Sequence, residues 1–377
     1  MRNALIAATA LALLPVAPAA AATFTEFVGF GDSTIDSGWW KGALSGSCGA
    51  VAAPCTTGNA AKDSRIANAI ANGGTGAPVG VGLMNSQVLA GFYGLSALPA
   101  NQPGGTNYAI SGALSAPVGG IGGNLNLNPN PNLPSTTTQI ATYLTSAGGH
   151  ANPHALYLIS TGGNDITYAI NNYSGTQRQT FLAGQLATLT AEVKLLQDSG
   201  AKYILVHGNY GQGLLATFLN QTLKSDFATA GIGFVYSDVG ALVQAVTANP
   251  NAYGFTAATV GPGIAGVSTG SACVGGGSGW GQWCGDTTTP HPDFAHLRTP
   301  NSEQTSFFSD DQHFSAAGQR LEAEFDHRLL EAAISGVPET STWAMLLLGF
   351  AGLGLVARRT RRHAADAVTS RVSRVRP

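Results

Sequence analysis

Charge is scarce in this 377-residue chain, where Asp, Glu, Lys and Arg together make up 10% of residues. Basic residues are scarcest where a fold would sit. Between Ala22 and Ala357 there are 10 Lys/Arg against 19 Asp/Glu, a formal net charge of −9, and the near neutrality of the whole comes from an arginine-rich end. A nucleic-acid groove needs a clustered positive field, and the aromatic residues have no adjacent Lys or Arg with which to form a stacking platform. Nucleic acid is therefore excluded as a partner. No repeat of about 30 residues recurs, which excludes a solenoid, and the Asn-Pro alternation near residue 130 is too short to count as one. Nothing in the pattern of His, Cys, Asp and Glu implies a metal, and no organic cofactor is implied.

Long apolar runs are confined to the two ends. Arg2 is followed by a mostly Ala/Leu stretch from Ala4 to Val16 and then by Ala19 to Ala22. That order reads as a secretory signal peptide over residues 1–22. At the other end, Thr342 to Ala357 is a run of 16 uncharged residues followed by Arg358, Arg359, Arg361 and Arg362. As a helix it rises roughly 24 Å, short of a hydrocarbon core of about 30 Å. Trp343 at one interface and arginines at the other would hold it in a thin membrane, with the body outside the cytoplasm. The segment "VPETSTWAMLLLGFAGLGLVARR" resembles the C-terminal sorting signals of bacterial exosortase substrates. Thr340 stands where a second proline is expected, and the tail over 363–377 is longer than usual. The resemblance implies a sorting signal over 336–362 with a transmembrane segment at 342–357. It further implies a processing protease of exosortase type as partner, and export through the inner membrane of a Gram-negative bacterium. By that resemblance the body would be anchored transiently, then passed to the cell surface or secreted; the alternative is a permanent membrane anchor.

Cysteine is limited to four residues, in two local pairs: Cys48 with Cys55, and Cys273 with Cys284. In an exported chain two short-loop disulfides are the economical reading, although two pairs permit three connectivities. Zinc is a weak rival, because the spacings are long and the histidines lie elsewhere.

Residues 23–335 remain, enough for one large domain with its own core. Short apolar runs alternate with helical patterns. "TEFVGF" (25–30), "HALYLIS" (154–160), "KYILVHGN" (202–209) and "IGFVYSD" (232–238) read as strands. Stretches 82–95, 136–148, 178–201, 215–230, 239–249 and 315–335 have helical periodicity. Fully apolar strands separated by helices point to a mostly parallel sheet covered on both faces. The expected fold is a three-layer α/β/α sandwich, flavodoxin-like, with Gly/Asn/Pro-rich surface loops at 119–135 and 255–300.

Ligands of open α/β sheets bind outside the carboxyl ends of the strands. Asp32-Ser33 follows the first strand, "TGGND" (161–165) follows the second, and "FFSDDQHF" (307–314) precedes the last helix. A serine hydroxyl becomes a nucleophile when a base accepts its proton, and His313 is the candidate base. Asp310 is placed to hold the imidazole in one tautomer. An ester oxyanion would need fixed donors: the backbone N–H groups of Ser33 and Gly112, and the side-chain amide of Asn164, with Asp165 helping to orient it. Each piece alone is also explained by a turn, an Asx motif or a cap. His207 sits at a strand end and would line the cleft, or else belong to a turn. Leu214, Leu215 and Phe218 would wall an apolar groove, or else belong to the core. Trp280 and Trp283 are placed for stacking on sugar rings or for structural packing.

Taken in order, "FGDSTIDSG" (30–38), "NYAISGA" (107–113), "GGND" (162–165) and "DDQH" (310–313) resemble the four blocks of the GDSL or SGNH hydrolases. Thr34 and Phe314-Ser315 depart from common family residues. The resemblance implies Ser33 as nucleophile, His313 and Asp310 as its base and orienting acid, and Ser33, Gly112 and Asn164 as oxyanion donors. It implies an SGNH-type fold and an esterase or lipase acting through an acyl-enzyme on a lipid, a short-chain ester or an acetylated glycan. The alternatives are a de-O-acetylase of exported polysaccharide and a non-catalytic surface-matrix protein.

Overall fold

Strand-forming runs that are apolar on both faces build the centre of the fold. In this computed structural model the described residues are 24–46, 56–124, 129–130, 133–211, 213–256, 270–275 and 283–335. Four strands, β1 (Glu26–Gly31), β2 (Ala155–Ser160), β3 (Tyr203–His207) and β4 (Val235–Ser237), pair in that order and all in parallel. Every residue of β2 is buried, as expected of a strand with elements packed on both sides. On the far side of β1 an irregular segment runs parallel to it. Tyr108 N–H donates to the Gly29 carbonyl at 2.8 Å, and Ile110 N–H donates to the Gly31 carbonyl at 3.1 Å.

Seven of the described helices are α1 (Asn85–Phe92), α2 (Thr136–Ser146), α3 (Gly163–Asn172), α4 (Thr176–Asp198), α5 (Leu214–Thr229), α6 (Val239–Ala248) and α7 (Ala316–Ile334). On α4, Leu182, Leu186, Leu189, Val193 and Leu196 recur every three or four residues. They meet Val28, Phe30, Tyr157, Ile159, Ile204 and Val206 from one face of the sheet, together with Ile140 of α2 and Leu223 of α5. The alternate strand residues face the other way. There His207 and Ser237 bond Asp326 of α7 at 2.8 and 2.6 Å, and Asn85 of α1 donates to Glu322 of α7 at 2.7 Å. The result is a three-layer α/β arrangement around a parallel core sheet. Thr23–Leu330 make up one compact unit; of a second, comprising Met1–Ala22 and Glu331–Pro377, only the helix end at 331–335 is described.

Several expectations are corrected. The stretch after 113 contains strands as well as loop: Ala113–Val118, Ile121–Asn124 and Pro129–Asn130 pair into a small antiparallel sheet. Within 255–300, Cys273–Gly275 pairs antiparallel with Ala295–Leu297, and Cys284–Gly285 pairs parallel with it. Two helices without a clear sequence signal, Trp39–Leu44 and Ala60–Ala71, carry a separate core. In it Trp39, Trp40, Ile66, Trp283 and Phe294 pack together. Trp283 is therefore a core residue and not a sugar platform; Trp280 lies outside the described residues. The Cys273–Cys284 disulfide is present, whereas Cys48 and Cys55 lie outside the described residues.

The membrane expectation is also corrected. Among the described residues no helix is long and apolar enough to cross a membrane. The run at 342–357, with the rest of 336–377 and the leader at 1–22, lies outside them. Sixteen uncharged residues fall short of the roughly 20 that a spanning helix needs. The transmembrane helix, the sorting signal and the membrane-anchored export route are withdrawn together.

Candidate active site

The turn after β1 is fixed from three directions. At Gly31, φ is +151° and an added Cβ would lie 1.9 Å from the Ser160 carbonyl oxygen, so the close approach of β1 to β2 requires glycine here. The Gln139 carboxamide clamps the same residue, accepting its N–H at 2.7 Å and donating to its carbonyl at 2.9 Å. Asp32 then turns inward. Its Oδ1 accepts from the Thr34 backbone at 3.0 Å and the Thr34 hydroxyl at 2.8 Å, while Oδ2 accepts from the Asn164 amide at 3.3 Å. Ser33, between these anchors, is left half-buried with its side chain on a cavity.

His313 arrives from the opposite end of the sequence on a tight loop before α7. Phe308 and Phe314 bridge across its base and pack with Phe307. Ser309 N–H donates to the His313 carbonyl at 2.7 Å. Ser315 caps α7, its hydroxyl accepting from Gly318 N–H at 3.1 Å. Inside the loop, Asp310 Oδ1 accepts the backbone N–H groups of Gln312 and His313 at 2.7 and 2.6 Å. Its Oδ2 faces His313 Nδ1 at 2.8 Å, and His313 Nε2 lies 2.8 Å from Ser33 Oγ. A continuous hydrogen-bonded chain therefore runs from a half-buried hydroxyl through a buried imidazole to a buried carboxylate.

Of the three expected oxyanion donors, Ser33 and Asn164 line the cavity, whereas Gly112 is not among its lining residues. Gly112 has φ +95°, a left-handed conformation that glycine tolerates. Asn164 stands in the first turn of α3 and donates to the Ala113 carbonyl at 3.1 Å as well as to Asp32. Its amide thus ties the residue after Gly112 to the residue before Ser33. The backbone N–H groups of Ser33 and Gly112 donate to no other described residue. Asp165 does not orient the Asn164 amide directly. It is buried and accepts from Ser115 N–H at 3.0 Å and the Ser115 hydroxyl at 2.9 Å, which pins the Ala113–Val118 strand against α3. Burial pushes its carboxyl up to about 7 against the pull of those bonds.

Electrostatics poise the imidazole. Burial works against a charged His313, but the Asp310 carboxylate, with Asp32 and Asp311 beyond it, outweighs that effect and raises His313 above its ordinary value. Burial likewise raises Asp32, with the Thr34 bonds opposing.

The hydroxyl and imidazole open into a cavity of about 800 Å³ whose lining includes Asn164, Ile166, Ile170, Tyr210, Leu214 and Leu215. Leu214 and Leu215 line it where the sequence places a groove wall; Leu215 also packs against the main core, as does Phe218, which is not among the lining residues. His207 is not part of the hydroxyl–imidazole chain. It is buried on the α7 side of the sheet, where burial disfavours its charge but Asp326 and Glu322 push it up to about 9. Three contributors have no sequence signal. Tyr210 donates its hydroxyl to the Gln312 carbonyl and stacks its ring on Phe314 at 4.8 Å, bracketing His313. Ile166 and Ile170 read as ordinary helix positions until α3 is seen to border the cavity. Among the described residues no cluster of three or more His, Cys, Asp or Glu could hold a metal ion.

Comparison with known proteins is spare. No family model matches the chain. A Pseudomonas putida protein described as "uncharacterized protein in trpE-trpG intergenic region" is 27% identical over 201 residues, which is 49% of this chain and 30% of that protein. The chain thus spans less than a third of the relative it matches. Membership in the GDSL or SGNH hydrolases is therefore corrected: no family match supports it. Blocks of four to nine residues specify local turns, and similar constellations arise on unrelated frames.

Proposed function

We propose that the protein is a serine hydrolase that cleaves carboxylic esters through an acyl-enzyme intermediate. The observation that carries this reading is the chain from Ser33 Oγ to His313 Nε2 at 2.8 Å and from His313 Nδ1 to Asp310 at 2.8 Å, open to a large cavity. In the proposed sequence Ser33 attacks the ester carbonyl as His313 Nε2 takes its proton. Asp310 holds Nδ1–H and stabilises the imidazolium. His313 then protonates the leaving alcohol. Water enters, loses a proton to the same nitrogen and releases the carboxylic acid, regenerating the Ser33 hydroxyl. Charge on the tetrahedral oxygen would be met by Ser33 N–H, Gly112 N–H and the Asn164 amide.

Sheet geometry supports the reading. If the 106–110 segment is counted as the second strand in sequence, the spatial order would be 2-1-3-4-5, the order of a flavodoxin-like winding. Ser33 follows the carboxyl end of β1 and Asn164 that of β2, the two strands flanking the point where the order reverses. In open α/β sheets, ligand crevices form at that point.

The test is labelling of the purified protein with a serine-reactive fluorophosphonate, alongside turnover of p-nitrophenyl esters. Ser33→Ala should abolish labelling and lower kcat by at least about 10³-fold, with far-UV circular dichroism unchanged. Full turnover in that variant would reject the proposal.

A further inference from the structure

We infer that the cavity beside Ser33 is an acyl-chain site, formed by Ile166 and Ile170 of α3 with Leu214 and Leu215 of α5, that selects aliphatic esters longer than acetate. The inference rests on the ester-hydrolase reading and names its substrate class. Ile166 and Ile170 are four residues apart and so share one face of α3, and both line the cavity. Leu214 opens α5 and is 85% exposed, and Ile170 is 48% exposed. Both are large apolar groups left to water, at the same opening that leads to Ser33. Exposed apolar area gains when an aliphatic chain covers it.

The wall is built to stay in place. Arg178 donates from Nε to the Tyr173 carbonyl at 2.8 Å and from Nη2 to the Ile170 carbonyl at 3.1 Å, capping the end of α3. Size agrees: about 800 Å³ is within the range of sites that enclose drug-sized ligands, and an acetyl group would occupy a small part of it. A sugar ring finds less. The aromatic residues lining the cavity, Tyr210 and Phe308, are packed against Phe314.

Burying one methylene is worth about fourfold in binding, so lengthening the acyl group should raise kcat/KM steeply until the cleft is filled. The experiment compares p-nitrophenyl acetate, butyrate and octanoate with an O-acetylated glycan, using the full chain and following fluorophosphonate labelling of Ser33 in parallel. The expected result is octanoate above acetate by at least about tenfold in kcat/KM, a conservative fraction of six methylenes. In Leu214→Ser and Ile170→Ser, both at solvent-exposed positions, the octanoate-to-acetate ratio should fall by about fivefold. If Ser33 labels but acetate or the acetylated glycan is cleaved as well as octanoate, the acyl-site inference is overturned and the ester-hydrolase reading stands. A ratio unchanged in both variants also overturns it. If Ser33 does not label and no ester is cleaved, the underlying reading fails and the inference with it.

Discussion

Asp310 grips His313 at two points: Oδ1 accepts the backbone N–H of His313 at 2.6 Å, and Oδ2 meets ring Nδ1 at 2.8 Å. One carboxylate thus shapes the loop and sets the tautomer. In Asp310→Asn the carboxamide oxygen can keep the backbone bond, but its NH₂ would then face Nδ1–H. The ring would turn its proton toward Ser33. A loss of about 10⁴-fold in kcat is expected, by analogy with the same change in a serine protease, with thermal unfolding little altered. Steady-state kinetics and a melting curve together check this.

Asn164 Nδ2 donates to the Ala113 carbonyl at 3.1 Å and to Asp32 at 3.3 Å in the free protein, so under the proposed mechanism the oxyanion takes over the longer of these two bonds. Asn164→Ala should raise the barrier by about 2.7–4 kcal/mol, or roughly 10²–10³ in kcat, as for a comparable donor elsewhere. KM should change little, because the bond to the oxyanion strengthens only in the transition state. A large KM change with kcat preserved would assign Asn164 to substrate binding instead.

The proposed mechanism needs neutral His313, and nearby carboxylates hold the ring's proton more tightly than usual. Activity should therefore rise with pH through a midpoint above the ordinary imidazole value of about 6.5. Asp311 lines the cavity and contributes to that hold. In Asp311→Asn one negative charge is gone, the imidazolium is less favoured, and the acid limb of kcat/KM should move to lower pH. A shift to higher pH, or none, would contradict the assignment.

Tyr210→Phe keeps the stack on Phe314 and deletes the donor to the Gln312 carbonyl. A neutral hydrogen bond is worth about 0.5–1.5 kcal/mol, so kcat should fall about 2- to 12-fold. KM for p-nitrophenyl acetate should be nearly unchanged, because the bond positions His313 and does not touch substrate. Equal loss of thermal stability with kcat intact would mean that the tyrosine only supports the fold.

Local physics accounts for most of what could be read without coordinates. β2 and β3 are legible as apolar runs, and α4 as a three-and-four spacing of leucines, because burial leaves its period in the chain. α3 was not legible: "GGNDITYAI" begins with turn residues, and its helix is secured by the packing of Ala169 and Ile166 on the main core and by Asp165 on Ser115. The helix at Trp39–Leu44 was also hidden. Its start rests on Asp36, which accepts Gly38 and Trp39 N–H groups at 2.9 and 2.8 Å, and its tryptophans find partners more than 200 residues away.

The candidate site divides along the same line. Asp310 and His313 are three residues apart, so a single turn joins them, and the chain alone determines that contact. Ser33 and His313 are separated by 280 positions. Their approach depends on β1 lying beside β2, on Gln139 clamping Gly31, and on Phe308 and Phe314 seating the loop before α7. The cleft wall depends in the same way on α3 and α5 bordering one cavity. A sequence carries its short-range hydrogen bonds and burial periods openly, whereas contacts across the sheet exist only once the collapse of many apolar residues has brought remote segments together.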